Sequence, residues 1–181
     1  MRLTLFTDYS LRVLLVLATR TESLVTIAEL SKAFDISHAH LMKVTHMLGK
    51  SGWVDTVRGR NGGMRLSAHP SKLKLGTIVR HLETDFALVE CFGENNRCVL
   101  TGGCELAAVL AHAMQAFLAE LDRYSLADIA SSSPALMELP LWQEVTWQAR
   151  VKRPTLEVVP GVADALLSEP APARSRKKRE T

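Results

Sequence analysis

Between residues 7 and 50 the chain repeats apolar residues at helical spacing three times, and directly afterwards the period drops to two around a glycine-rich turn. Few folds accept that switch within so short a segment. The first stretch, 7–20, puts Leu11, Leu14, Leu15 and Ala18 on one face, with Thr7 as a candidate cap and Asp8 in the first turn. Thr26 followed by Glu29 reads as a capping box for a second helix, whose buried stripe is Ile27, Leu30, Ala33 and Phe34. Ser37 caps a third helix that runs to about Lys50, with Leu41, Val44 and Leu48 inward. Ser51 and Gly52 stop it. Trp53 to Val57 then alternates as a strand, Arg58-Gly59-Arg60-Asn61-Gly62-Gly63 is turn chemistry, and Met64-Arg65-Leu66 returns as a second strand. Three helices and a β-hairpin in this order are the plan of a winged helix-turn-helix. The expected fold class is mainly α with a small β-hairpin.

The remainder carries two further helical stretches. Ser71 to about Glu83 reads as a short helix. Glu105 to about Tyr124 is the longest amphipathic one, with Leu106, Val109, Leu110, Ala113, Phe117 and Leu121 on its apolar face and Leu126 and Ile129 after it. Beyond Ser131 six prolines interrupt any long element, so 131–181 reads as an irregular, disordered tail, with Trp142, Val145, Trp147 and Val151 able to form one short docked helix. The expected organisation is a winged helix-turn-helix over 1–80, a loop and long helix over 81–130, and that tail.

Composition bounds the function. At 181 residues and 47% hydrophobic, the chain has enough apolar material for one packed domain with an appendage. No apolar run approaches the ~20 residues that span a bilayer. The stretch Val13–Ala18 follows Asp8 and Arg12 and leads to no small-residue cleavage site, so no export signal is read and a cytoplasmic location is expected. The net charge of +3 hides an asymmetry: residues 1–80 carry 12 Lys/Arg against 5 Asp/Glu, whereas 81–130 carry 2 against 8. A basic first part is suited to a polyanion. The six histidines make no paired-carboxylate or nucleophile arrangement and there is no phosphate loop, so an enzyme is not expected.

Double-stranded DNA is the polyanion the pattern fits. A major groove admits one helix whose N-terminal residues reach base edges. Here those residues include Ser37, His38, His40 and Lys43. The hairpin offers Arg58, Arg60, Asn61 and Arg65, and an arginine at its tip suits a narrow, A/T-rich minor groove.

Cys91, Cys98 and Cys104 are the chain's three cysteines, separated by six and five residues with Gly93, Gly102 and Gly103 close by. An odd number cannot all pair as disulfides, and three soft ligands on one loop suit a soft metal or an iron–sulfur cluster. A structural zinc site usually shows closely spaced C-x-x-C knuckles, which this chain lacks. An electron-transfer role would leave the arginine-bearing wing without a purpose.

Met1 to Thr4, Thr7 to Arg12, Ile36-Ser37, the run Val57 to Leu66 and the three spaced cysteines together resemble the iron–sulfur winged-helix transcriptional regulators over about residues 1–130. That resemblance implies a homodimer joined largely through the long helix, acting on DNA, and a two-fold dimer would read an inverted repeat. The branch that senses iron or cluster supply carries a histidine three residues after the last cysteine; here Ala107 stands there. The nitric-oxide-sensing branch uses an aspartate of the partner's first helix, and Asp8 occupies that place. The resemblance therefore implies a [4Fe–4S] cluster (alternative [2Fe–2S]) held by Cys91, Cys98, Cys104 and Asp8 from the partner subunit. It further implies a repressor that loses DNA affinity when nitric oxide attacks that cluster. On spacing alone, Asp8 also reads as a first-turn carboxylate paired with Arg12.

Overall fold

The computed structural model describes residues 2–133 together with Leu136 and Leu139. The elements are α1 (Leu5–Thr19), α2 (Ile27–Phe34), α3 (His38–Lys50), β1 (Val54–Val57), β2 (Gly63–Leu66), α4 (Leu75–Leu82), α5 (Glu105–Arg123) and α6 (Leu126–Ser132), with single 3-10 turns at Pro70–Lys72 and Glu90–Phe92. Two caps lie where the sequence puts them. The Thr26 hydroxyl accepts from the Glu29 amide at 3.2 Å while the Glu29 carboxylate accepts from the Thr26 amide at 2.6 Å. Ser37 caps α3 by accepting from the His40 amide at 3.3 Å. Between those helices Asp35 takes a left-handed φ of 54°, which turns the chain sharply into α3.

The cap of α1 differs from expectation. Thr4 caps it, accepting from the Thr7 amide, and the helix starts at Leu5. Thr7 is buried, so its hydroxyl is inside the fold and the outer threonine is left to end the helix.

α1 forms the centre. Val13, Leu14, Val16 and Leu17 are almost wholly buried, and α3, α4, α6 and β2 all pack on this helix. The hairpin registers Val54 with Leu66 and Val57 with Gly63. Met64 is shared: its backbone also exchanges bonds of 2.8 and 2.9 Å with Val25, which pins the wing to the turn before α2. Gly63 is required there, because a Cβ would lie 2.9 Å from the Val25 carbonyl oxygen.

The stretch expected as one helix over 71–83 divides. After the 3-10 turn, Leu73 and Lys74 are extended and pair with the chain entering α6: the Leu126 amide donates to the Leu73 carbonyl at 2.9 Å, and the Leu75 amide to that of Tyr124 at 3.0 Å. α4 begins only past this crossing. The crossing also delivers α6 to the face of α1, where Leu126 and Ala130 join the core. Ser131 and Ser132 thus belong to a helix and not to an irregular tail; Leu139 packs against the same core. The possible docked helix around Trp142–Val151 lies outside the described residues.

α5 contains no buried residue. It leans on α4 through the Arg80–Asp122 pair, in which two guanidinium nitrogens donate to the two carboxylate oxygens. Those bonds hold the Asp122 carboxyl below the usual carboxylate range. Gly76 makes the approach possible, because a Cβ there would collide with Asp122. Leu110, Phe117 and Leu121 of the expected apolar face are half-buried, whereas Leu106, Val109 and Ala113 are open.

Truncating Leu126, which is fully buried, leaves a cavity beside α1. Leu126→Ala is expected to lower unfolding stability by about 2–5 kcal/mol, read as a lower denaturant midpoint at unchanged slope. A surface-tail residue would show almost no change.

Candidate metal centre and nucleic-acid interface

The segment from Glu83 to Cys104 has little regular structure and is held by its own short hydrogen bonds. The Arg97 amide donates to the Glu90 carboxylate at 3.0 Å and the Cys98 amide to the Asn96 side chain at 2.9 Å. Thr101 donates its hydroxyl to the Cys98 carbonyl at 2.7 Å and accepts from Asn96 at 2.9 Å. Gly102 has a φ of 91°, the left-handed backbone that turns the chain back toward α5.

These turns bring Cys91, Cys98 and Cys104 to the wall of one cavity of about 360 Å³, together with Phe92, Thr101, Glu105 and Ala107. All three thiols are free and half-buried. Cys104 is the N-cap of α5, so the positive end of that helix lies at the cavity edge and complements an anionic group there. Among the described residues no three His, Cys, Asp or Glu side chains converge on a point that would hold a single metal ion. The donor set and the cavity fit a cluster.

Asp8 is elsewhere in the protomer. It does not line the cavity; its carboxylate accepts from the Arg12 Nε at 3.1 Å and from a terminal Arg12 nitrogen at 2.7 Å. The first-turn pairing visible in the sequence therefore forms within the protomer.

On the other side, α3 exposes His38, His40, Met42, Lys43, His46 and Lys50. Ser37 is exposed too, but its hydroxyl is engaged by the cap and by the His40 ring at 3.0 Å. Arg58, Arg60, Asn61 and Arg65 are exposed on the wing. Met42, His46 and Lys50 line a groove shared with Asp55, Thr56 and Arg58. Sequence reasoning misses these three α3 residues as candidate DNA contacts, although spacings of four residues from Met42 to His46 to Lys50 place them along one helix face. Gly62 closes the wing tip, since a Cβ there would collide with the Val57 carbonyl.

A helix presented beside an arginine-bearing hairpin defines the class as a winged helix-turn-helix transcriptional regulator. The family model described as Rrf2, iron-dependent transcriptional regulator, matches residues 3–132, and the chain belongs to that family. It is 49% identical over 141 residues to the HTH-type transcriptional regulator NsrR of Bacillus licheniformis, covering 77% of this chain and 99% of that one. NsrR of Bacillus subtilis is 46% identical, with 77% and 97% covered. Among solved structures, CymR, the global cysteine regulator of B. subtilis, matches with a TM-score of 0.61 at 23% identity, covering 74% of this chain and 98% of that one. IscR of T. potens matches with a TM-score of 0.56 at 22% identity, with 81% and 93% covered. The last two are likenesses of fold. Among the described residues no helix is long and apolar enough to cross a membrane.

The three free thiols give a direct test of the cavity. Reduced, metal-free protein should react with a disulfide reagent at all three cysteines without denaturant. Anaerobic iron and sulfide should protect all three together. Protection of one or two would separate them.

Proposed function

We propose that this regulator is a homodimeric repressor whose iron–sulfur cluster makes its DNA binding sensitive to nitric oxide. The observation that carries the reading is the junction at Cys104. There the three-thiol cavity meets α5, whose Leu106, Val109 and Ala113 are open to a partner. Covering that stripe with a second α5 would make a two-fold dimer, and the site matching a two-fold dimer is an inverted repeat. An A/T-rich promoter site suits Arg58 and Arg60 at the wing tip.

Cys91, Cys98 and Cys104 would hold the cluster, read as [4Fe–4S] with [2Fe–2S] as the alternative, and Asp8 of the partner subunit would complete it. The relatives named NsrR and the missing histidine at Ala107 favour this ligand set. When bound, the cluster supplies iron that reacts with nitric oxide. Both Asp8 carboxylate oxygens accept from Arg12, so ligation through either would loosen that pair and pull on the first turn of α1. α1 packs on α3, and the Tyr9 ring lies 6.1 Å from that of His40. A displaced α1 therefore disturbs the N-terminus of the helix that enters the groove. Sensitivity requires that Asp8 bind differently in the DNA-competent and incompetent states.

Anaerobic protein should shift an inverted-repeat promoter fragment, and nitric oxide should bleach its visible absorption and release the DNA in parallel. Cys98→Ala and Asp8→Ala should weaken that response. A Cys98→Ala dimer that lacks a cluster yet still responds fully would sink the reading, and a response to iron depletion but not to nitric oxide would assign the signal to iron supply.

The wing has a separate readout. Arg58→Ala and Arg60→Ala should each flatten the salt dependence of binding, by about 0.9 in the log–log slope for every phosphate the arginine neutralises. Unchanged slopes would remove these arginines from the interface.

A further inference from the structure

Glu83 stands where its own helix does not favour it. It is the C-cap of α4, the negative end of the helix dipole, and yet it is only 7% exposed. What holds it there is another helix's start. Its Oε1 accepts from the Thr4 amide at 2.6 Å and from the Thr4 hydroxyl at 3.1 Å, across 79 residues of sequence. Thr4 is the N-cap of α1, so the carboxylate lies at the positive end of α1 and satisfies an amide the helix itself cannot.

Two chain segments meet at this bond. Glu83 opens the connection that carries Cys91, Cys98 and Cys104. Thr4 fixes the first turn of α1, and its carbonyl accepts from the Asp8 amide at 3.0 Å. The cysteine segment is therefore tied at its root to the backbone that presents Asp8.

We propose that Glu83 is a positioning residue for the cluster: it sets the first turn of α1 so that Asp8 reaches the partner's cavity. This rests on the ligand reading above. In the dimer, the Glu83–Thr4 bond then joins one subunit's cysteine segment to the carboxylate that completes the other subunit's site. Such partners beyond the ligands orient them and tune how firmly they bind.

The test uses full-length, anaerobically reconstituted dimer and compares Glu83→Ala, Glu83→Asp and Glu83→Gln with Asp8→Ala. The readouts are the visible circular dichroism of the cluster and the rate of iron loss to a ferrous chelator. Glu83→Ala should adopt the Asp8→Ala spectrum and lose iron about tenfold faster than the parent. Adding Glu83→Ala to Asp8→Ala should accelerate it no further, because the ligand it positions is already gone. Glu83→Asp keeps the charge but shortens the reach, and should behave like Glu83→Ala; it carries the test if the alanine variant does not fold. Glu83→Gln keeps an acceptor oxygen and should stay close to the parent. A parental spectrum in both Glu83→Ala and Glu83→Asp beside a changed one in Asp8→Ala would overturn the proposal, as would effects that multiply in the double variant. An Asp8→Ala dimer with parental spectrum and iron loss would overturn the ligand reading itself, a distinguishable result that takes this proposal with it.

Discussion

The burial of α1 is the constraint on which the rest of the molecule depends. A helix that buries one stripe can be moved as a lid or a brace; one buried on most of its circumference cannot shift without moving its neighbours. Val13, Leu14, Val16 and Leu17 are nearly inaccessible, and even Thr7 and Ser10 are inside. α3, α4, α6 and the wing strand all rest on it. Both candidate sites thereby acquire a common reference. The recognition helix packs on one part of α1, while the root of the cysteine segment is bonded to its N-cap, Thr4.

What the sequence revealed follows the range of the forces involved. The Thr26–Glu29 box, the Ser37 cap and the turn at Arg58–Gly63 depend on residues a few positions apart, and each forms as expected. The division of 71–83 depends on Leu73 and Leu75 pairing with Leu126 and Tyr124, which no local pattern announces. α6 is only seven residues long, too short for a helical period to stand out, although its capping box of Ser125 and Asp128 was there to be read. The centrality of α1 was equally hidden. Leu11, Leu14, Leu15 and Ala18 make a good stripe, but Leu11 and Leu15 are only half-buried and the flanking valines go deeper.

The candidate sites divide the same way. Spacing and residue type were enough to single out the thiols, because three cysteines on a glycine-bearing loop have few other uses. The arginines and the N-terminal residues of α3 followed from the order of elements. Glu83 could not be found so, since a glutamate just past a helix reads as an ordinary solvated charge until its distant acceptor role is seen. Asp8 is the converse: sequence offered both an ion pair and a metal ligand, and the protomer forms the ion pair.

Those two roles for Asp8 compete, because both carboxylate oxygens already accept from Arg12 and an iron bound through either would draw on a bonded oxygen, and that competition gives the proposed switch its physical content. The Asp8–Arg12 pair is an i,i+4 contact at half-exposed side chains, a type that contributes only a few tenths of a kcal/mol. Leaving it costs little, so a stronger ligand interaction can outcompete it. Having it available also means that a released Asp8 finds a partner inside its own helix. A weak internal alternative of this kind lets small changes at the cavity decide which partner Asp8 keeps. The rigid packing of α1 on α3 would then carry that choice to the DNA-reading face.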